Sequence, residues 1–345
     1  MDLDQLNEIA CAMVAPGKGL LAADESTGTI GKRFASIGLD NTPDNRRDWR
    51  DMLFRTEPAM SKHISGVILY DETIRQSAKD GTALTKLITD AGSIPGIKVD
   101  MGAKPLAGAE GETITEGLDG LRDRLADYYD LGARFAKWRA VVNIGDNGDE
   151  SVPSQYCINT NMHALARYAA LCQEANIVPI VEPEVIMDGD HSIERCYEVT
   201  EFALKTLYRE LFDQGVMLEG TILKPNMVIS GTKNADRASA EEVADMTVQC
   251  LANCVPAAVP GIAFLSGGQT DEEATEHLSI MNEAYDLPWP LTFSYGRALQ
   301  AAPLQAWAGN ASNYEAAQAA FNHRARMNGL ASLGEYTPEM EKETA

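Results

Sequence analysis

The chain has 345 residues, 45% of them hydrophobic, so it is long enough to bury a sizeable core. It carries 29 lysines and arginines against 51 aspartates and glutamates, which gives a formal net charge of −22 at pH 7. Such a surface repels nucleic acid and anionic membranes, and neither is expected as a partner. The amino end has no apolar signal core, so the sequence predicts a cytoplasmic protein, or an organellar one after removal of a transit peptide.

Eight short apolar stretches alternate with amphipathic helical patterns along the chain. This alternation is typical of a parallel sheet, and eight strands favour a closed (β/α)8 TIM barrel over an open, doubly wound sheet. We predict one α/β barrel domain over residues 1–334 and an acidic, mobile tail over residues 335–345. The predicted strands cover residues 19–24, 66–71, 96–100, 135–143, 177–182, 221–228, 261–267 and 291–296. The predicted helices include residues 45–60, 158–175, 193–213 and 239–254, the last of which starts with a capping box of Ser239 and Glu242.

The six cysteines and five histidines are dispersed along the chain. They lack the density of a disulfide scaffold, and no histidine or second cysteine pair accompanies Cys250 and Cys254 to complete a zinc site. We therefore expect neither a metal site nor a cofactor.

One lysine stands out because it ends an apolar, β-branched run. In the stretch LEGTILKPNM, residues 218–227, Lys224 is followed by Pro225, which ends regular strand pairing. Burial would disfavour its ammonium form and lower its pKa, which makes the neutral amine available to attack a carbonyl group. The alternative is an ordinary lysine whose stem covers apolar surface while its charge reaches water.

Other charged residues lie at the ends of the predicted strands, where (β/α)8 barrels carry their active sites. Lys137 lies inside the apolar run FAKW, and a second cation beside Lys224 would lower the pKa of Lys224 further. Lys224 could then form an iminium with a ketone, an electron sink for cleaving a carbon–carbon bond. Glu182 and Asp24 are residues of the right type for the acid and base steps. The alternative for both carboxylates is a salt bridge to a nearby lysine.

The last two predicted strands suggest a phosphate site. Ser266, Gly267 and Gly268 offer a hydroxyl group and open backbone N–H groups, while Gly296 and Arg297 add a close backbone approach and a bidentate donor. Loops after strands seven and eight commonly hold a phosphate in barrels. A second anion site is plausible in residues 26–33, near Lys98; this segment does not match the GxxxxGK[ST] loop, so a nucleotide is not indicated.

Seven motifs, in order, resemble those of class I fructose-1,6-bisphosphate aldolase, and the resemblance runs from about residue 16 to residue 327. The motifs are LAADESTG (21–28), GIKVD (96–100), FAKWR (135–139), IVEPE (180–184), LEGTILKPNM (218–227), FLSGGQ (264–269) and FSYGRALQ (293–300).

The resemblance implies a catalytic role for four residues. Lys224 would form the Schiff base, and Lys137 would assist carbinolamine formation. Glu182 would be the acid and base of dehydration and carbon–carbon cleavage, and Asp24 would position Lys224 and the reacting hydroxyl group.

The resemblance also implies how the substrate is bound. Glu184 would support Lys137 and Glu182; Ser266, Gly267, Gly296 and Arg297 would hold the phosphate on the C1 side; and Ser26, Thr29 and Lys98 would hold the distal one. The full set of predicted substrate-binding residues is Ser266, Gly267, Gly296, Arg297, Arg139, Glu184, Lys98, Ser26, Thr29 and Arg33.

The family's general properties become expectations for this chain. We expect a homotetramer that needs no metal. Its pathways would be glycolysis, gluconeogenesis and the reductive pentose phosphate (Calvin) cycle. Sedoheptulose 1,7-bisphosphate would be a further substrate.

The chain departs from the family's pattern in two places. Eukaryotic members end in a tyrosine-containing tail that speeds proton exchange, whereas the last tyrosine here is Tyr336. The second departure is Asn143, at a position where many members have lysine, and it is followed at 145–156 by a loop that is longer and more acidic than is usual in the family. Three alternatives remain open: another Schiff-base enzyme such as a transaldolase, a metal-dependent aldolase, and a non-catalytic barrel that binds a protein partner.

Overall fold

Eight parallel strands form a closed barrel in this computed structural model, which describes residues 1–146 and 148–342. Each barrel strand pairs with the next one along the chain, and the last pairs with the first. The predicted (β/α)8 architecture is therefore confirmed. The barrel strands are β1 (Gly19–Ala23), β2 (Ile64–Leu69), β3 (Ile94–Lys98), β6 (Phe135–Val142), β7 (Val178–Val185), β8 (Ile222–Leu223), β9 (Ile262–Phe264) and β10 (Leu291–Tyr295), and β4 (Ala103–Pro105) and β5 (Thr113–Thr115) form a separate antiparallel pair.

Helices precede the first barrel strand, occupy connections between barrel strands and follow the last one. They are α1 (Leu3–Met13), α2 (Thr27–Ala35), α3 (Pro43–Phe54), α4 (Glu57–Lys62), α5 (Asp71–Ile74), α6 (Leu84–Asp90), α7 (Leu121–Asp130), α8 (Gln155–Glu174), α9 (Ile193–Asp213), α10 (Ala240–Cys254), α11 (Asp271–Ala284), α12 (Arg297–Trp307) and α13 (Tyr314–Ala331). None of the helices in the described part of the chain combines the length and the apolar character needed to span a bilayer.

The predicted helix bounds are confirmed for two helices and wrong for two others. One of the wrong ones is α8, which was predicted over residues 158–175 and covers Gln155–Glu174. The bounds of α9 agree with the prediction, and Ser239 and Glu242 form the predicted capping box at the start of α10. The single helix predicted over residues 45–60 is wrong, because α3 ends at Phe54 and α4 begins at Glu57. The physical reason is Pro58, which has no N–H to donate and whose ring would clash with the carbonyl of Phe54 in a continuous helix.

The amino end of the barrel is closed by helix α1. Its buried residues Leu6, Ala10 and Met13 belong to one apolar cluster with side chains of the barrel interior, namely Leu20, Ile68, Phe135, Val178, Ile180, Ile222 and Ala263. Because this end is filled, the space for a ligand lies at the carboxyl end of the strands, where barrel enzymes carry their sites.

The aromatic ring of Phe135 fits into the barrel interior because the positions next to it, 96 and 66, are glycines. A Cβ atom on Gly96 would lie 2.2 Å from the ring of Phe135, and one on Gly66 would lie 2.9 Å from it. These two positions therefore admit only glycine while Phe135 occupies the interior.

The acidic end of the chain, which we predicted to be mobile from residue 335, makes specific contacts as far as Glu341. Glu341 accepts hydrogen bonds from His323 Nε2 at 2.8 Å and from the Tyr336 hydroxyl group at 3.1 Å, and it forms an ion pair with the buried Arg324. A buried guanidinium needs such a partner, which explains why this carboxylate is held. Residues 343–345 of the predicted tail lie outside the described residues.

Candidate active site

A cavity of about 750 Å³ opens at the carboxyl ends of the barrel strands. It brings together nearly all of the residues that the sequence singled out. The predicted residues that line it are Asp24, Ser26, Thr29, Arg33, Lys98, Lys137, Arg139, Glu182, Glu184, Lys224, Ser266, Gly267 and Gly296.

Strand pairing places the charged side chains beside one another. Lys98 of β3 is the register partner of Lys137 in β6, and Arg139 in β6 is the register partner of Glu182 in β7. Lys224 directly follows β8, and its backbone N–H donates to the carbonyl oxygen of Val181 in β7 at 2.9 Å. The parallel arrangement therefore brings residues that are far apart in sequence to one end of the barrel.

A carboxylate lies between two lysines at the base of the cavity. Glu182 Oε1 is 3.1 Å from Lys224 Nζ, and Glu182 Oε2 is 3.2 Å from Lys137 Nζ. Asp24 Oδ2 is 2.8 Å from Lys137 Nζ. The side chains of Lys137, Glu182 and Lys224 are at most 5% exposed, so the ammonium group of Lys224 is paired in the interior and does not extend into solvent.

The electrostatics of the cluster favour the charged forms of Lys137, Asp24 and Glu182. Burial opposes the charge of Lys137, but Asp24 and Glu182 outweigh it and raise the pKa of this lysine above its usual value. Burial would raise the pKa of Asp24, but Lys137, Lys224 and Lys98 outweigh it and hold that pKa well below the usual range. The pKa of Glu182 is lowered against its own burial by Lys137, Lys224 and Arg139. The salt-bridge role considered for both carboxylates is thus present in the structure.

These shifts predict how stability depends on pH. The pKa of Asp24 is lower in the folded protein than in the unfolded chain, so its contribution is present above about pH 4 and is lost as the pH falls. We expect Asp24→Asn to reduce the slope of unfolding free energy against pH, by up to about 1.4 kcal/mol per pH unit below pH 4. Urea denaturation of both proteins from pH 5 to pH 2 measures the slopes, and equal slopes would contradict the assignment.

The glycine-rich segment after β9 borders the cavity next to the carboxylates. Ser266 is buried, and a Cβ on Gly267 would lie 3.3 Å from Glu184 Oε1. Glu184 itself forms an ion pair with Arg139. Gly296, which precedes α12, lies on the same wall of the cavity as the end of β1, since its Cβ would be 3.3 Å from the carbonyl oxygen of Ala22.

The second predicted anion site is the start of helix α2. Ser26 caps this helix and accepts a hydrogen bond from the backbone N–H of Thr29 at 3.4 Å. Two cations near this site are already paired with carboxylates: Arg33 Nη1 lies 2.5 Å from Glu25, and Lys98 Nζ lies 2.7 Å from Asp100. A phosphate bound here would share these cations with carboxylates.

Arg297 is the predicted residue that the structure leaves outside the cavity lining. It starts α12 with its side chain exposed, and its guanidinium donates to the backbone carbonyl of Gln269. Gln269 follows the Ser266–Gly268 turn, so Arg297 lies beside the glycine-rich segment without facing the space between the lysines. Its role as a phosphate ligand stays a prediction.

The sequence reasoning missed Glu25 and Ser294, which also line the cavity. Glu25 is buried and accepts hydrogen bonds from Arg33, Arg50 and Gln300. Ser294 in β10 is buried, and its hydroxyl group has no partner within the described residues. The signal for Ser294 was available in the strand pattern, because a serine between Phe293 and Tyr295 points the opposite way from both rings.

The two departures from the family's pattern lie outside the cavity lining. The Tyr336 hydroxyl group contacts Glu341, and Asn143 donates to the carbonyl of Gly111 at 2.7 Å. Asn147, within the acidic loop, lies outside the described residues. Within residues 1–146 and 148–342, no three histidine, cysteine, aspartate or glutamate side chains are grouped as metal ligands.

The protein is a (β/α)8 barrel whose mouth holds two buried lysines around one carboxylate. This combination is typical of enzymes whose own amine and carboxylate side chains act on a small substrate. The family model for class I fructose-bisphosphate aldolase, of the glycolytic type, matches residues 5–345. The chain therefore belongs to the class I fructose-bisphosphate aldolase family, and its activity is that of a lyase. The family membership and the class of enzyme predicted from the sequence are confirmed.

Comparison with individual proteins agrees with the family. The chain is 60% identical over 337 residues to a probable fructose-bisphosphate aldolase class 1 from Xanthomonas campestris, covering 97% of this chain and 99% of the relative. It is 52% identical over 334 residues to fructose-bisphosphate aldolase 6, cytosolic, from Arabidopsis thaliana, covering 96% and 92%. A co-crystal structure of the Plasmodium falciparum fructose-bisphosphate aldolase with TRAP and a small-molecule inhibitor superposes with a TM-score of 0.94 at 45% identity, covering 97% and 96%.

Proposed function

We propose that this chain reversibly cleaves fructose 1,6-bisphosphate to dihydroxyacetone phosphate and glyceraldehyde 3-phosphate through a Schiff base on Lys224. The observation that carries the proposal is the position of Glu182, whose two carboxylate oxygens contact Lys224 at 3.1 Å and Lys137 at 3.2 Å. A buried lysine beside a proton acceptor is the arrangement that generates a neutral, nucleophilic amine.

The first half of the reaction makes the iminium. Lys224 gives a proton to Glu182, and its free amine attacks the C2 carbonyl carbon of the ketose. The nitrogen, positively charged after the attack, loses a second proton, which passes to the carbonyl oxygen and makes it a hydroxyl group. The charged Lys137 stabilises the oxygen as negative charge develops on it. Glu182 returns its proton to that hydroxyl group, which leaves as water, and the nitrogen lone pair closes the iminium.

The second half cleaves the carbon–carbon bond. A carboxylate removes the proton of the C4 hydroxyl group, the C3–C4 bond breaks, and its electron pair flows into the iminium to give an enamine. Asp24 and Glu182 are the carboxylates in position, since both contact Lys137 and line the cavity. Glyceraldehyde 3-phosphate departs, C3 is protonated, and hydrolysis of the new iminium releases dihydroxyacetone phosphate and Lys224.

The two anion sites support a bisphosphate as the substrate. Ser266, Gly267 and Gly296 supply donors after β9 and β10, and Ser26 and Thr29 supply them at the start of α2, where the helix dipole favours an anion. In a protein with a net charge of −22, such local donors are needed to hold a dianion.

Arg297→Ala tests the phosphate role of the residue that lies outside the cavity lining. We expect the KM for fructose 1,6-bisphosphate to rise about tenfold or more, because a charged hydrogen bond is worth about 1.5–3 kcal/mol, while the melting temperature stays within about 2 °C. The control is Arg209→Ala, since Arg209 is exposed on α9 and its ion pair within the described part of the chain is with Asp213 on its own helix. An unchanged KM would remove Arg297 from the phosphate site.

The chemistry itself is tested by trapping the iminium. The protein is incubated with fructose 1,6-bisphosphate and borohydride in the presence of EDTA, and its intact mass and peptides are measured. We expect a stable adduct on Lys224, because borohydride reduces an iminium to an amine.

The other results would support other functions. Loss of activity in EDTA without an adduct would indicate a metal-dependent aldolase. An adduct without cleavage of fructose 1,6-bisphosphate in a coupled assay would indicate another Schiff-base enzyme, such as a transaldolase. Neither adduct nor activity would favour a non-catalytic scaffold.

We extend the proposal to a cytoplasmic homotetramer that serves glycolysis, gluconeogenesis or the Calvin cycle and also accepts sedoheptulose 1,7-bisphosphate. Support for the cytoplasm comes from the name of the cytosolic relative, and for the other properties from the family resemblance. Light scattering checks the tetramer, and a coupled assay with the seven-carbon substrate checks the second activity. A monomer or an inert seven-carbon bisphosphate would refute the corresponding part.

A further inference from the structure

The carboxyl end of β1 lacks strand pairing on one side. On the side of β2, pairing continues to Ala23, which is the register partner of Leu69. On the side of β10, it stops at Leu21. Asp24 therefore follows a stretch of β1 that pairs with β2 but not with β10.

Side chains from two helices replace the missing strand pairing. Gln300 of α12 donates from Nε2 to the carbonyl oxygen of Ala22 at 2.8 Å, and Arg50 of α3 donates from Nε to the carbonyl oxygen of Ala23 at 3.2 Å. Buried carbonyl groups at a strand end need such donors. Both side chains are almost fully buried, with Arg50 and Gln300 each 1% exposed.

Arg50 contacts the backbone on both sides of Asp24. Besides the carbonyl of Ala23, its Nη2 donates to the carbonyl oxygen of Glu25 at 3.3 Å and to the Glu25 carboxylate at 3.0 Å. Gln300 donates to the same carboxylate at 2.8 Å. The planar guanidinium is suited to this task because its rigid fork reaches several oxygens at once, which the single ammonium group of a lysine does not.

We propose that Arg50, assisted by Gln300, is a positioning residue that fixes the end of β1 and thereby sets the Asp24 carboxylate against Lys137. Arg50 does not line the cavity, so it acts on the reaction through the end of β1 that carries Asp24. The inference rests on the proposed function, since it gives Arg50 the task of holding a carboxylate whose part in the lysine chemistry is itself proposed.

The distances show why the backbone at this point must be fixed. Asp24 Oδ2 lies 2.8 Å from Lys137 Nζ, and a displacement of about 1 Å would take the pair beyond hydrogen-bond distance. Misplacement of a reacting group by this amount costs a rate factor on the order of 10². The charged groups that face Asp24 are Lys137, Lys224, Lys98 and Glu182, and all four remain when Arg50 is replaced.

The test compares two buried arginines of the same helix. Arg46 lies one turn before Arg50 in α3 and is 6% exposed, but it pairs with Glu72 at 2.6 Å, and its other hydrogen bonds among the described residues go to Asn41 and not to β1. For Arg50→Met we expect kcat to fall on the order of 10²-fold with KM changed by less than about threefold. The acid limb of the pH profile of kcat should also move to higher pH, because a displaced Asp24 loses its cation. For Arg46→Met we expect a loss of melting temperature without a change in kcat or in the pH profile.

The outcomes separate this inference from the proposed function. A wild-type protein that gives no borohydride adduct on Lys224 would refute the proposed function. A wild-type adduct together with equal kcat and pH profile in Arg50→Met and Arg46→Met would overturn the positioning role. Should Arg50→Met fail to fold, Gln300→Met tests the same strand end; we expect kcat to fall about tenfold, and an unchanged kcat would equally overturn the inference.

Discussion

Lys224→Met is expected to abolish turnover of fructose 1,6-bisphosphate, with a fall in kcat of at least about 10⁴-fold. The other amine of the cluster, Lys137, cannot replace it because Asp24 and Glu182 hold Lys137 in its charged form. Methionine keeps most of the side-chain volume in a site where the lysine side chain is only 5% exposed, so the barrel should remain folded. The measurements are a coupled cleavage assay, borohydride trapping, and circular dichroism to verify the fold.

A matched control for this variant is Lys18→Met. Lys18 is half-buried and directly precedes β1, at the opposite end of the barrel, where its ammonium group donates to the carbonyl oxygen of Ser61 at 2.7 Å. It should retain both full activity and the borohydride adduct. Normal turnover in Lys224→Met, or an adduct that persists without Lys224, would refute the Schiff-base mechanism on this residue.

Glu182→Gln is expected to lower kcat about 10³-fold, within the range of about 10²–10⁴ that a positioned acid or base contributes. The amide is nearly the same size as the carboxylate, but it neither accepts the proton of Lys224 nor returns one to the leaving hydroxyl group. Because the substituted side chain carries no phosphate contact, we expect KM to change much less than kcat. Steady-state kinetics over a range of pH measures both.

The control for the carboxylate is Glu112→Gln. Glu112 is also buried, but it lies outside the cavity lining and accepts hydrogen bonds at 2.6 Å from the N–H and hydroxyl groups of Ser154, which caps α8. We expect this variant to lose stability and to keep its kcat. Similar losses of kcat in both variants would show that the effect of Glu182→Gln is structural rather than catalytic.

Much of the site was visible in the sequence because barrels place chemistry at strand ends. Lys137, Glu182 and Lys224 each follow or interrupt an apolar run, and the parallel topology brings such ends together whatever their separation along the chain. The start of α10 was equally predictable, since Ser239 and Glu242 form their hydrogen bonds within four residues.

Other features depended on contacts between distant segments. Arg297 was predicted to face a phosphate, yet its side chain donates to Gln269, a contact between the loop after β9 and the start of α12. The partly buried position of Glu341 depends on Arg324 and His323 in helix α13. An acidic sequence at a chain end does not specify such a partner, and its composition alone favoured a mobile tail.

The sequence by itself determined the alternation of strands and helices, the closed eight-stranded barrel and the residue types at its mouth, because these depend on local hydrophobic patterns and on a topology rule common to all such barrels. Only the tertiary structure decided which cation pairs with which carboxylate. Glu182 lies between Lys137 and Lys224, and Arg50 and Gln300 hold the end of β1 beside Asp24. These pairings depend on distances of a few ångströms between side chains from different strands and helices. The packing of the whole barrel determines those distances, and local sequence patterns do not predict them.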